Sequence, residues 1–444
     1  MIDLSAAEAA PSTSAQRWLA RLAFITAAAA TVLVLAVAGF RGSIGLLLVG
    51  VAGMAAALAG AWWFLTHRGL VRWLAGALVI LAPLTVAVLY ARARLVWVVI
   101  VFAVLWAAAM AAGRRALTAT RPAGPVEYET AAPQRPFMIM NPRSGGGKVE
   151  RFHLAERARQ LGAEVVLLEG PGEVDVADLA EQAIRDGADL LGVAGGDGTQ
   201  ARVAAVAARH GVPFMVISAG TRNHFALDLG LDREDPAKCL DALSDGVELH
   251  IDLGQVGDRT FVNNASFGAY ATVVQSPAYR DDKTRTTLDM LPDLLTGHRG
   301  PLLRLRIGET VLSGSQAVLI SNNPYGSDDL AGLGRRPRLD GGVLGVLAVR
   351  IRSAGEAAGL VRRRRWTRSI TVLDAAEAVV EADVPSIPVG IDGEAVTVSA
   401  PVRCTTRPGA LRVRVPRGRP GVPPPRPELD WARLRSLALS TGRR

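Results

Sequence analysis

At 444 residues the chain exceeds one ordinary domain, and a mean hydropathy of +0.24 excludes a soluble enzyme of average composition. Its two cysteines, Cys239 and Cys404, lie far apart, which excludes a disulfide framework and a cysteine metal site and fits a reducing compartment. The net charge of +9 is carried by arginine, lysine standing only at positions 148, 238 and 283, and it favours anionic partners.

Residues 1–21 read as a small, polar N-terminal tail. Four apolar segments follow within 22–113, at Leu22–Phe40, Ile44–Leu65, Leu70–Tyr90 and Leu95–Ala112. Each approaches the roughly 20 residues that a helix needs to cross a bilayer. Four in succession are not a cleaved signal peptide. An even number of spans leaves both ends on one side. Arg17, Arg21, Arg68, Arg72 and the Arg114–Arg121 group then face the cytoplasm, against Arg41, Arg92 and Arg94 outside. A linker with Pro122, Pro125 and Pro133 occupies 114–135.

Residues 136–250 alternate strand and helix. Phe137–Met140, Glu164–Leu168, Asp189–Ala194 and Pro213–Ile217 read as strands; Val149–Leu161, Val176–Asp186 and Gln200–His210 read as helices. That alternation predicts an α/β domain built on a mostly parallel sheet, whose ligands bind beyond the carboxyl ends of the strands. Three loops sit at that edge: Asn141–Lys148, Gly195–Gln200 and Ser218–Asn223.

From 251 to 416 short alternating segments predict an antiparallel β domain. They are Thr260–Asn263, Leu302–Ile307, Gln316–Ser321, Val343–Arg350, Ser369–Leu373, Ser386–Val389, Val396–Ser399 and Ala410–Val415. Helical insertions are expected at Thr286–Leu295 and Ser353–Arg363, the second running into Arg364-Arg365-Trp366. Residues 417–444 are a Pro-rich tail in which Leu429–Leu439 can form a last short helix.

The loops suggest phosphate chemistry. Gly195-Gly196-Asp197-Gly198-Thr199-Gln200 joins a buried strand to a helix, so bare amides gather at the positive end of the helix dipole. Asn141-Pro142-Arg143-Ser144-Gly145, followed by Lys148, offers a hydroxyl, free amides and an ammonium, without the spacing of a Walker loop. Asp197 can cap the helix or help hold a metal-bound phosphate; Thr221 and Asn223 offer neutral donors. His224 has no second ligand at metal spacing and reads as a polar loop histidine. Asp340-Gly341-Gly342 and Asp392-Gly393-Glu394 are acidic turns that suit ordinary hairpins. As a functional pair they would supply a Mg²⁺ ligand and a general base, which transfer of a phosphoryl group to an alcohol needs.

Five motifs occur in order: Asn-Pro-x-Ser-Gly at 141–145, Gly-Gly-Asp-Gly-Thr at 195–199, Gly-Thr-x-Asn at 220–223, Asn263-Asn264-x-Ser266-x-Gly268, and Asp392-Gly393-Glu394. Together they resemble the diacylglycerol kinase catalytic domain family of bacterial lipid kinases, which includes sphingosine kinase relatives, over about Phe137–Pro416. The resemblance implies an ATP site between an α/β domain and a β-sandwich domain, with Mg²⁺ as cofactor and a diacylglycerol-like lipid alcohol as acceptor. By position, Asn141–Gly145, Gly195–Gln200 and Thr221 resemble nucleotide-contacting residues, Glu394 the proton acceptor and Asp340 a residue near a structural Mg²⁺. Two departures stand out: His224 replaces the family's usual Asp, and the stretch Leu339–Gly345 lacks two of its acids. The expected protein is a multi-pass, cytoplasm-facing lipid kinase. Arg362–Arg365 and Trp366 would rest on an anionic membrane surface, no nucleic acid would be a partner, and a homodimer stays open. A catalytically silent nucleotide-binding membrane sensor and an NAD kinase-like enzyme are the alternatives.

Overall fold

The computed structural model describes residues 13–117, 125–169, 174–221, 223–268, 271, 303–326, 335–350, 370–422 and 429–440. The insertions expected at 286–295 and 353–363, and the cluster at 362–366, lie outside the described residues. The chain divides into two compact units, Met1–Pro122 with Pro424–Arg444, and Ala123–Pro423.

The first unit is helical: α1 (Ser14–Thr66), α2 (Gly69–Arg92) and α3 (Val96–Leu117). Four stretches in it are long and apolar enough to cross a membrane: Ser14–Val37, Ile44–Thr66, Gly69–Arg92 and Val96–Leu117. The first two share α1, so the interruption expected at Arg41 does not end the helix. At 1.5 Å per residue α1 is about 80 Å long. Small residues let the other helices approach it. A Cβ at Gly60 would press on the Ala75 carbonyl, and a Cβ at Gly53 would meet Val86. The Tyr90 hydroxyl donates to the Leu46 carbonyl at 2.6 Å. Leu47, Leu70, Trp73 and Ile80 are each more than 60% exposed, an outward apolar surface that associates with a membrane. A short helix near the C-terminus (Trp431–Leu439), capped by Asp430, buries Leu434 with Ala20, Ala116 and Leu117. This part of the Pro-rich tail thus belongs to the helical unit.

The second unit carries two sheets. We number its strands β1 (Glu127–Glu129), β2 (Pro136–Met140), β3 (Glu164–Leu167), β4 (Leu190–Ala194), β5 (Phe214–Ile217), β6 (Gly246–Val256), β7 (Arg259–Phe261), β8 (Asn264–Gly268), β9 (Leu303–Ile307), β10 (Thr310–Ser315), β11 (Ala317–Asn322), β12 (Leu344–Val349), β13 (Ile370–Ala375), β14 (Glu377–Ala382), β15 (Ser386–Ile391), β16 (Glu394–Ser399) and β17 (Val402–Pro416). Strands β3, β2, β4 and β5 run parallel in that order. All residues of β2, β4 and β5 are buried, as strands covered on both faces require. Helices α4 (Lys148–Arg151), α5 (Leu154–Gln160), α6 (Val176–Arg185), α7 (Asp197–His210) and α8 (His224–Asp228) connect them. His153, at φ +51°, splits the single helix expected over 149–161.

The parallel sheet does not end at β5. β17 pairs parallel with β5 through Val413 and Arg414, antiparallel with β6 along most of its length, and antiparallel with β14 near its start. At about 3.3 Å per residue its 15 residues reach about 50 Å, enough to serve both halves. Its register with β6 shifts between Arg407 and Leu411. The first sheet is therefore mixed and runs into the β half, ending on β9 and β10. The second sheet is antiparallel, in the order β13-β12-β11-β8-β15-β16. Phe261, Phe267, Leu305, Ile320 and Val389, drawn from both sheets, fill the core of the β half; Met138, Leu191, Phe214 and Val216 fill the core of the α/β half.

Candidate active site

The three glycine-bearing loops leave the carboxyl ends of β2, β4 and β5 and pack on one another. Asn141 donates its N–H to the Ala194 carbonyl at 2.8 Å, and its Oδ1 accepts from the Arg143 N–H at 3.0 Å, which sets the turn through Pro142. Ser144 and Gly145 follow in a 3₁₀ turn. Gly145, at φ +57°, lies so close to the Ala219 and Gly220 carbonyls that a side chain would collide with them. In the third loop the Asn223 side chain bridges the Gly220 N–H (3.0 Å) and the Gly220 carbonyl (2.7 Å). Asn223 is buried and Thr221 is exposed beside it.

Lys148 is turned inward. Its ammonium donates to the Arg233 carbonyl at 2.7 Å and the Ser218 carbonyl at 3.4 Å, tying the first loop to the third. Partial burial, with Arg233 and Arg151 nearby, lowers its pKa.

In the central loop Gly196 is the N-cap of α7 and Asp197 its first residue. Asp197 Oδ1 accepts from the Phe225 N–H at 3.4 Å, and Gln200 Nε2 donates to the Gly195 carbonyl at 3.0 Å. No side chain caps the start of α7, and uncapped amides at a helix start suit phosphate oxygens.

Glu394 reaches this helix start from the β half. It begins β16, and its carboxylate lies against Gly198, where a Cβ would overlap it. Asp392 holds the turn that delivers it. At φ +47° its carboxylate accepts the N–H groups of Val262 (2.8 Å), Asn263 (2.8 Å) and Asn264 (3.1 Å). Crowding of the carboxylate by protein pushes its pKa up to about 7; the three amides pull it down, and the Asp197 carboxylate adds to the rise. A cavity of 570 Å³ opens beside Glu394, floored by Gly198, Ala201 and Ala205 and walled by Gln255, Arg259, Thr260 and Arg407. The site thus combines phosphate-seeking amides with one exposed carboxylate.

No bond joins Asp340 to these loops among the described residues. Both its oxygens are taken by Arg338, at 2.9 and 3.1 Å. Asp252 behind it is filled by the Gly342 N–H (2.6 Å), the Gly409 N–H (2.9 Å) and Asn323 Nδ2 (3.0 Å). The described residues hold no group of three or more His, Cys, Asp or Glu able to bind a metal. As placed, the donor set around Asp340 does not fit a cation.

Sequence reasoning singled out neither Asp252 nor the buried pair of Asp228 and Arg336, joined at 2.6 Å with side chains 2% and 0% exposed. Burial raises the pKa of the Asp228 carboxyl against the pull of the Arg336 guanidinium beside it. The partners are 108 residues apart, and no local signal marks them. A signal for their surroundings did exist in Asn322-Asn323-Pro324-Tyr325, a turn sequence closing β11.

An α/β layer with phosphate-seeking loops, met by a carboxylate from a β layer, defines a two-part phosphotransferase-like architecture. Residues 135–256 match the family described as the diacylglycerol kinase catalytic domain. A diacylglycerol kinase of Mycobacterium tuberculosis is 35% identical over 122 residues, which is 27% of this chain and 40% of that protein. One of Bacillus subtilis is 34% identical over 169 residues, 37% of this chain and 54% of the relative. The chain thus spans about half or less of these curated relatives. A Pseudomonas aeruginosa protein named "Probable lipid kinase YegS-like" is 28% identical over 321 residues, 64% of this chain and 95% of that one. A solved Bacillus anthracis structure, described as a candidate diacylglycerol kinase, shares the fold at a TM-score of 0.50 and 17% identity, covering 64% of this chain and 98% of its own. Residues 135–256 of the chain are thus similar to the diacylglycerol kinase catalytic domain family.

Proposed function

We propose that this protein is an ATP-dependent lipid kinase that transfers the γ-phosphoryl group to the hydroxyl of diacylglycerol or a related lipid alcohol. The observation that carries the reading is the meeting of Glu394 with Gly198 at the start of α7. Asn141–Gly145, Gly195–Gln200, Thr221 and Asn223 would hold the nucleotide, and Mg²⁺ bound with it would supply screening of the phosphate charge. Glu394 accepts the proton of the lipid hydroxyl as its oxygen bonds to the γ-phosphorus. The bond from that phosphorus to the β–γ bridging oxygen breaks, and ADP departs. Lys148 serves this reaction through the loops it ties. The membrane-associating helices keep the enzyme beside its lipid, with the catalytic unit on the cytoplasmic side where ATP is found.

The test is transfer of label from ATP to a panel of lipids by full-length protein in detergent. Wild type labels diacylglycerol or another lipid alcohol, and Glu394→Gln labels it at least about 100-fold more slowly with unchanged ATP binding. ATP binding without labelling of any lipid in a broad panel would overturn the reading and leave a nucleotide sensor.

A further inference from the structure

Among the described residues the largest fully buried side chain is charged: it is Arg336. Its guanidinium is met along each edge. Nε donates to Asp228 Oδ2 at 2.6 Å, Nη1 to the carbonyls of Val262 (2.6 Å) and Asn322 (2.7 Å), and Nη2 to Asn263 Oδ1 (2.8 Å). Its backbone N–H donates to Asp228 Oδ1 at 3.0 Å. The Tyr325 ring lies 5.9 Å from the guanidinium carbon, and Asn264 Nδ2 donates to the Tyr325 hydroxyl at 2.9 Å. A buried ion pair of this kind is often no more stabilising than apolar residues of the same volume. Stability alone therefore gives little reason for it.

Its partners give one. Asp228 ends α8, the helix that begins directly after Asn223 of the third loop. Val262–Asn264 is the bend whose amides hold Asp392, two residues before Glu394. We propose that Arg336 is a positioning residue for phosphoryl transfer: it locks the helix of the third nucleotide loop to the bend that carries the Glu394 turn, and so sets the carboxylate over Gly198. This rests on the lipid kinase reading. Among the described residues no acidic cluster surrounds Asp340, whereas Arg336 is a buried internal cation that no chelator removes. Its planar fork reaches two carbonyls, a carboxylate and an amide at once, which the single ammonium of a lysine does not.

The experiment uses full-length protein in detergent, with rates expressed per folded molecule. Wild type, Arg336→Lys, Arg336→Met and the double variant Asp228→Asn/Arg336→Met are compared for turnover of ATP and lipid, and for hydrogen exchange at 262–264 and 391–394. The double variant removes the carboxylate that Arg336→Met strands, so it keeps the test usable where the single variant folds poorly. The expected result is a kcat lowered at least about 30-fold, as misplacement by about 1 Å can produce, with the ATP KM within about threefold. Arg336→Lys falls between, and exchange quickens at both segments but not in β2 or β4. Unchanged kcat per folded molecule, a loss carried by the ATP KM alone, or unaltered exchange at 391–394 would each overturn the proposal. Absence of turnover by wild type would sink the kinase reading instead, and quickened exchange at 391–394 would still uphold the link.

Discussion

Asp340-Gly341-Gly342 and Asp392-Gly393-Glu394 are both acidic turns in the β half, and their local chemistry is the same. Asp340 pairs with Arg338, two residues away, and keeps 19% of its side chain exposed. Asp392 reaches back 128 to 130 residues to hold three backbone amides, and its pKa rises to about 7. The Asp340 carboxylate is occupied by its own neighbour and the Asp392 carboxylate by a distant strand junction. An aspartate before glycine specifies a turn; what it does next depends on which backbone amides lie within reach.

The sharpest way to break this contrast is to remove each carboxylate. Asp392→Ala leaves three amides of the Val262–Asn264 bend without their acceptor, at a cost of order 1–3 kcal/mol for each that water fails to reach. We expect a loss of about 3 kcal/mol or more, seen as a lowered midpoint of thermal unfolding in detergent, together with loss of turnover. A variant as stable as wild type would mean that the bend holds itself.

The same asymmetry bears on how much could be read from sequence. The buried strands β2, β4 and β5 and the three loops after them were legible, because a continuous apolar run ending at glycine has few other meanings. The continuity of β17 was not. Pro408-Gly409 reads as a break, yet the strand passes through it with a shift of register, so a segment expected at 410–415 runs from 402 to 416. β14, Glu-Ala-Val-Val-Glu-Ala, has no turn signal and weak strand propensity; it is a strand because β17 and β9 flank it. Glu394 was legible as a candidate base from its motif. Arg336 was not, since an isolated arginine reads as solvated and only the fold brings Asp228, Val262 and Asn322 around it.

A smaller effect is expected from Gly198→Ala, which tests whether the carboxylate must touch α7. The added methyl occupies the place of the Glu394 carboxylate, and the flexible side chain can swing away. Stability should fall by no more than about 1–3 kcal/mol, while kcat falls further than that loss explains and the ATP KM holds. Equal activity in this variant would separate Glu394 from the helix start and weaken its role as base.

Acidity gives a finer probe. The Asp392 pKa in the folded chain, about 7, lies above its unfolded value of about 3.9, so between those values the folded state binds more protons. Its contribution therefore lowers stability as pH rises from about 4 to 7 and levels off above. The slope is below the full value of about 1.4 kcal/mol per pH unit, because Asp392 also lines the open cavity. Asp232, held near 2 by the Asp235 amide and Lys238, acts only in more acidic solution. Subtracting the Asp392→Asn profile from that of wild type isolates the effect. Parallel profiles would show that the amides outweigh burial and hold Asp392 ionised at neutral pH.

The least effect belongs to Asp340. Its ion pair with Arg338 is between partly exposed side chains two residues apart, and pairs of that kind contribute about 0–1 kcal/mol. Asp340→Asn should therefore change the unfolding midpoint by no more than a degree or two and leave kcat within about twofold. Adding Mg²⁺ without nucleotide should leave the midpoint where chelation leaves it, since a specific ligand raises it in proportion to the logarithm of its occupancy. A rise of several degrees with Mg²⁺, lost in Asp340→Asn, would mean that the metal displaces Arg338 and that the two acidic turns are more alike than their present partners make them. No rise, with Arg336→Met still impaired, would leave the buried guanidinium as the cation that fixes this half of the site.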